Sequence, residues 1–414
     1  MDLVIRNISL LQGENLEYID RGYVVIQQGI IEDVAKGDYK GEYSMPIYDG
    51  EGILAIPGFI NAHTHIGDSI GKDISVETSF ESKIHPIHGI KNKILRNSNR
   101  KHLVNFMKSA ALSMMRMGIV AFADFRECEL EGINQIKEAV SGLSIKAIVL
   151  GRPEFYYDIA LDSSKNPNLP SEVIEQIQKI LNFAEGLGIS GANENTDNSL
   201  KDYRKAIIKN SLKKKLLLGI HGAESLETDR RSFEKTRKSE VQRIIANLLP
   251  NFIVHLTMAS DSDIELVARK KIGIVICPRA NSTLGVGIPR VSKMLSFGCC
   301  IAIGTDNVMV NSPDMFRELD YIWKISKTLD GPITARDILK MATVNGGKIL
   351  GINSGALMTG MSADIIFIDK NNLDISPIHD PYVSIVHRAN VNSILNVMIN
   401  GKFVDGDEFN CMSS

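Results

Sequence analysis

Gly58-Phe-Ile-Asn-Ala-His63-Thr-His65 decides the fold. An apolar run ends there in two histidines two positions apart, and a strand would turn both imidazoles to the same face. Three more apolar runs end on a metal-capable side chain: Leu216-Leu-Leu-Gly-Ile-His221, Asn251-Phe-Ile-Val-His255 and Ile301-Ala-Ile-Gly-Thr-Asp306. Parallel barrel strands present their last residues to one shared mouth. Side chains scattered over most of the chain would then converge on one ion.

Working outward, apolar β-branched runs also occur at about 119–125, 146–151, 187–192 and 272–278, which brings the strand candidates to eight. The segments between them carry helical periodicity, as in Arg100 to Met117, Ser171 to Glu185, Asp202 to Lys213, Ser239 to Leu248 and Ser260 to Lys270. Eight β–α units predict an α/β fold, a (β/α)8 TIM-type barrel over residues 57–356. The strand runs are continuous rather than alternating, as expected of strands buried on both faces. Residues 1–56 and 357–414 have a different texture, with short strands and turn dipeptides such as Gly37-Asp38 and Asp49-Gly50. Neither end has enough strands to stand alone, so the two are expected to pair into one composite β-sandwich domain. The longest insertion, residues 66–99, follows the first barrel strand; loops of this kind serve as lids or recognition elements.

Composition bounds the function. The chain has 414 residues, 44% hydrophobic and 23% charged, with a net charge of −2. There is no basic excess to attract nucleic acid or an anionic membrane. No apolar run approaches the roughly 20 residues of a membrane span. Met1-Asp-Leu-Val-Ile-Arg-Asn is no secretory signal. The five cysteines lack Cys-x-x-Cys spacing, so the expectation is reduced thiols in a cytoplasmic protein.

His63-Thr-His65 alone is a weak signal, since two polar residues at a strand end would read the same way. His221 adds to it, because Glu224 follows three residues later, where a proton carrier above the strand end would sit. Asp306 ends a buried run, and a bare carboxylate there is costly without a cation or hydrogen bonds. Gly304 allows close backbone approach beside it.

In order along the chain, Pro57-Gly-Phe-Ile-Asn-Ala-His-Thr-His65, His221-Gly-Ala-Glu224, Val254-His255-Leu-Thr, Cys277-Pro-Arg-Ala-Asn281 with Gly285-Val-Gly287, Gly304-Thr-Asp306-Asn, and Gly355-Ala-Leu with Gly360-Met-Ser-Ala-Asp364-Ile resemble the strand-end motifs of the amidohydrolase superfamily. The sequence is similar to the cytosine-deaminase-like branch, which includes adenosine-type deaminases and triazine hydrolases. The resemblance implies that His63, His65, His221 and Asp306 hold one divalent ion, zinc first and iron as the alternative. It implies a metal-activated water that attacks an amino-bearing ring carbon of a nucleobase-like heterocycle, with release of ammonia. Glu224 would be the general acid/base, His255 would hydrogen-bond the water or the oxyanion, and Asp306 would take a proton. The alternative within the same frame is cleavage of an amide or a ring C–Cl bond. Binuclear members carry a bridging lysine at the fourth strand, and Ile180 to Leu200 contains no lysine, so one ion is expected. A homodimer is also implied.

The resemblance has departures. Ile276 and Ala280 stand where the family usually has His and Ser. Thr78 to His88 contains no Trp, and a His stands near the place of a ribose-binding Glu, which points away from a nucleoside. Four residues are candidate substrate contacts. Arg152 and Arg279 follow strand ends and could clamp a carboxylate, phosphate or carbonyl, or equally form salt bridges. Asn281 reads as a contact to a ring edge or as a helix cap. His88, with His85, reads as a substrate contact or as a loop-packing side chain.

Overall fold

The computed structural model describes residues 2–41, 45–74, 77–79, 82–83, 87–157, 166–212, 214–329 and 331–404. The N-terminal segment forms strands β1 (Leu3–Gln12), β2 (Glu17–Gln27), β3 (Ile30–Lys36), β4 (Ile47–Asp49) and β5 (Ile53–Pro57). The middle of the chain contributes β6 (Phe59–His65), β7 (Ile119–Arg126), β8 (Lys146–Gly151), β9 (Gly186–Ile189), β10 (Leu217–Gly222), β11 (Phe252–His255), β12 (Gly273–Ile276), β13 (Ile301–Ile303) and β14 (Asp306–Asn307). The C-terminal part returns with β15 (Ile365–Asp369), β16 (Ile394–Ile399) and β17 (Lys402–Phe403).

These strands make two sheets. One is eight-stranded, in the order β17-β16-β15-β5-β1-β2-β3, with β4 alongside β1. It joins the two ends of the chain through an antiparallel pairing that runs from Pro57 against Ile365 to Ile53 against Asp369. Its own apolar cluster includes Ile5, Ile8, Leu10, Ile26, Ala55, Ile365 and Phe367.

The second sheet is nine-stranded and follows the chain as β13-β12-β11-β10-β9-β8-β7-β6-β14. Neighbours pair in parallel, and helices such as Arg100–Arg116, Ser171–Phe183 and Glu240–Asn247 fill the intervals. Every residue of β6 and β7 is buried, including the polar Asn61, His63, Thr64, His65, Asp124 and Arg126. β13 pairs with β12, while β14, three residues further on, pairs with β6 at the other end of the path. Gly304 lies at this passage. A Cβ there would stand 2.7 Å from the Cβ of His63 and 2.8 Å from its carbonyl oxygen, so only glycine admits the approach.

The helices begin where local chemistry satisfies their first amides. Ser225 and Ser239 each form a capping box, at the helices Leu226–Thr236 and Glu240–Asn247. No described helix is long and apolar enough to cross a membrane.

Candidate metal and catalytic centre

The C-terminal ends of β6, β10, β11 and the β13–β14 passage bring His63, His65, His221, His255 and Asp306 together. His63 Nε2 lies 3.3 Å from His221 Nε2 and 3.3 Å from Asp306 Oδ1. His65 Nε2 lies 3.4 Å from His221 Nε2 and 3.7 Å from Asp306 Oδ1. A tetrahedral ion with bonds of about 2.0–2.1 Å has ligand–ligand edges of about 3.4 Å, close to these spacings.

The outer ring nitrogens say which imidazoles are free to bind. His65 Nδ1 faces only acceptors, Glu127 Oε1 at 2.8 Å and the Phe125 carbonyl at 3.1 Å. His221 Nδ1 faces the Ile189 carbonyl at 3.1 Å. Each Nδ1 must therefore carry the proton, which leaves each Nε2 as a bare lone pair. Two such lone pairs face each other beside the Asp306 carboxylate with no proton to share. That arrangement is repulsive by itself and fits a divalent cation with nitrogen and oxygen ligands. His255 also falls within reach of His63 and His221, and Cys277 within reach of His63 and Asp306, so proximity does not single out the four.

Burial pushes His65 down to about 3, and the charge of Lys91 adds to it. Burial, reinforced by the neighbouring histidines, takes His221 well below its ordinary value. Burial alone would raise Asp306. The hydrogen bond from His63 and the charges of His63, His255 and His65 overcome it and hold this carboxyl well below the usual range.

Glu224 follows β10 and its Oε2 lies 3.6 Å from His255 Nε2. Burial, with the charge of Asp306, pushes it well above the ordinary carboxylate range, and its Oε1 has no partner among the described residues. The backbone around it is strained, because Ala223, His255 and Asp306 all have positive φ, at 48°, 76° and 60°. Glu240 helps to hold this turn. Its carboxylate accepts from the amides of Ala192 at 3.1 Å and Ala223 at 2.8 Å, tying the ends of β9 and β10 together.

Sequence reasoning missed the support around His65. Glu127, just past β7, receives Lys91 Nζ at 2.7 Å, Arg126 Nη2 at 2.8 Å and, more distantly, Arg152 Nη2 at 3.7 Å. Burial would raise Glu127, but Lys91, His65 and Arg126 hold it well below the usual range. Lys91 sits on the helix Ile90–Asn97 at the end of the insertion and also approaches Asp68 Oδ2 at 3.7 Å. Asp68 in turn accepts from Asn307 Nδ2 at 2.7 Å and the Met309 amide at 2.9 Å. The signal was present as Asp124, Arg126 and Glu127, three charges at the end of an otherwise apolar strand.

The candidate substrate contacts lie in four different settings. Arg152 is buried beside Glu127, with the Tyr156 ring 6.0 Å away, and its Nε has no partner among the described residues. Arg279 Nη1 is engaged with Glu318 Oε1 at 3.3 Å and the Ser312 carbonyl at 3.2 Å. Asn281 does not cap the helix Pro278–Thr283, whose N-cap is Cys277; its Nδ2 reaches His255 Nδ1 at 3.1 Å. His88 is exposed in the turn before the helix Ile90–Asn97, and His85 lies outside the described residues.

The sequence pattern described as the Amidohydrolase family matches residues 54–404. The chain belongs to the amidohydrolase family. A chain from Methanothermobacter thermautotrophicus, whose name gives aminohydrolase only as a provisional assignment, is 33% identical over 97% of this chain and 99% of its own length. A 5-methylthioadenosine/S-adenosylhomocysteine deaminase from Desulforamulus reducens is 28% identical over 97% of this chain and 93% of its own length. Among solved structures, the zinc complex of an atrazine chlorohydrolase from Arthrobacter aurescens superposes with a TM-score of 0.84 at 17% identity, covering 98% of this amidohydrolase and 96% of that chain. That last likeness concerns the fold.

Proposed function

We propose that this amidohydrolase is a hydrolytic deaminase of an aminated, nucleobase-like heterocycle, working with one divalent ion, Zn²⁺ ahead of Fe²⁺. The observation that carries the reading is the pair of bare Nε2 atoms of His65 and His221, held 3.4 Å apart beside the Asp306 carboxylate. His63, His65, His221 and Asp306 would hold the ion. When bound, it supplies a nucleophile from water at neutral pH and an electrophilic centre for developing oxygen charge.

The remaining chemistry belongs to the chain. Glu224, whose burial favours the protonated carboxyl, is positioned to donate to a ring nitrogen as water adds to the amino-bearing carbon. Asp306, held ionised, is positioned to accept a proton from that water. His255 hydrogen-bonds the oxygen at the reacting carbon. Asp306 then passes its proton to the amino nitrogen, the carbon–nitrogen bond breaks and ammonia leaves, and the hydroxyl on that carbon gives its proton to Glu224 as it becomes a carbonyl. Arg152, buried just past β8 with an Nε that has no partner among the described residues, supports contact with a polar group of the substrate.

The reading extends to the architecture. Because β13 and β14 lie on one short passage and pair with opposite ends of the path, we take them as one eighth strand that closes a (β/α)8 barrel over residues 57–356. Residues 1–56 and 357–414 would then form the second, composite domain. A homodimer, on the strength of the family resemblance, and a cytoplasmic setting, from the cysteine usage, complete the proposal.

The test is ammonia release from aminopurines, aminopyrimidines, aminopterins and their nucleosides. Adenosine-type nucleosides belong in the panel because the relative from Desulforamulus reducens is named for them. Glu224→Ala is expected to lower turnover by about 10²–10⁴-fold. Release of acid or halide from amide or chlorinated analogues, with no ammonia from the panel, would overturn the reading.

A further inference from the structure

His255 differs from its neighbours in what meets its outer nitrogen. Where His65 and His221 face acceptors, His255 Nδ1 faces the amide nitrogen of Asn281 at 3.1 Å. The amide Nδ2 donates here, which leaves Nδ1 as the bare atom of the ring, while Asn281 Oδ1 has no partner among the described residues. A neutral imidazole has one proton, which then sits on Nε2. The side of the ring that faces the centre agrees with this. Nε2 lies 3.6 Å from Glu224 Oε2, and His63 and His221 pack around the ring with centroids at 6.0 Å and 5.4 Å. A proton on Nδ1 instead would turn a bare lone pair toward the ionised Asp306 carboxylate, which cannot donate to it. Both side chains are buried, so no bulk water is at hand to substitute for the missing partner.

We infer that Asn281 is a positioning residue that fixes His255 in the Nε2–H tautomer, which keeps His255 out of the ion's ligand set and makes it a hydrogen-bond donor to the reacting oxygen. This explains why a fourth imidazole within ligand distance need not bind. The ring is aimed at the centre with its proton rather than its lone pair. Asn281 is itself fixed from below, because its helix starts at Cys277-Pro278 and is clamped through the Arg279 amide and guanidinium to Glu318, at 3.3 Å each. The inference rests on His255 acting in the proposed reaction, but its primary readout does not.

That readout is the ¹⁵N spectrum of histidine-labelled, zinc-loaded protein. The chain has nine histidines, and His255 is assigned by the signals lost in His255→Gln. In the native chain His255 is expected to show a proton-bearing Nε2 and a bare Nδ1, the reverse of His65 and His221. Asn281→Asp keeps the shape but offers only acceptors, so Nδ1 is expected to become proton-bearing. On the best substrate of the panel, kcat should fall by about 10²-fold with KM little changed, the loss expected of one oxyanion donor. Asn281→Ala, a second variant, removes the partner and should give His255 shifts averaged between the two tautomers. A proton on Nδ1 in the native chain overturns the inference, and so does a His255 pattern that neither substitution moves. Silence of the whole substrate panel would count against the proposed reaction while leaving the tautomer result intact.

Discussion

The two flanks of the centre hold their histidines by opposite means. On the His65 side, the carboxylates of Asp68, Asp124 and Glu127 are interleaved with the cations of Lys91, Arg126 and Arg152, all of them buried. On the His255 side the supporting group is one neutral amide, Asn281. The difference teaches that the partner behind an imidazole, more than its distance from the centre, decides what the ring can do. A carboxylate behind His65 accepts a hydrogen bond from Nδ1–H and leaves Nε2 as a basic nitrogen for a metal. An amide donor behind His255 leaves the proton facing the site.

The largest break in this comparison is Glu127→Ala. It removes the one carboxylate that His65, Lys91 and Arg126 all contact, and it strands buried cations. The expected cost is about 3–5 kcal/mol of stability, read from denaturant unfolding. The weaker grip on His65 should lower metal affinity by about 10–100-fold in titrations against a competing chelator. Glu127→Gln separates the two effects. It can still accept from His65, so most of the metal affinity should survive while stability falls.

On the neutral flank, Asn281→Ala is expected to cost about 1–3 kcal/mol, the penalty for a buried Nδ1 left without a partner. Metal affinity should stay at the native level in the same chelator titration. A large loss of metal there would mean that His255 is a ligand, and the contrast between the flanks would fail.

The smallest effect concerns Glu318, beneath Asn281. Burial pushes its carboxyl up to about 8 from an ordinary value of 4.5, although Arg279 opposes the rise. Between those values the folded chain holds a proton that the unfolded chain has released. The stability Glu318 contributes is therefore full below about 4.5 and is lost as pH rises through about 8. Glu318→Gln should flatten that decline, as seen in melting temperatures measured across the window. An unchanged slope would place the dependence on another group.

Much of this was legible because the ends of parallel strands and metal chemistry select the same residues. Apolar runs near 58–65, 146–151 and 252–257 appear as β6, β8 and β11, and β6 and β11 end on the candidate residues His65 and His255. Buried strands leave no choice of face, so hydrophobicity alone finds them. The supporting groups were harder to see for a physical reason. Lys91 reaches Glu127 from the helix Ile90–Asn97, and that contact is set by how an insertion packs rather than by any spacing in sequence. Asn281 was visible as a polar residue near a strand end, but its partner, 26 residues earlier, was not. The charges at the end of β7 could have been singled out by asking what would neutralise them in a buried strand.

The antiparallel pairing of β5 with β15 also bears on how the chain is made. During synthesis β5 emerges early and can pair with β1 on one side, while its other edge waits until a ribosome has added hundreds of further residues. Through that interval an apolar strand edge is open to the wrong partner. These strands are thus synthesised well before the partner that completes their sheet, and a truncated nascent chain ending before β15 would be more prone to aggregate than one that includes it.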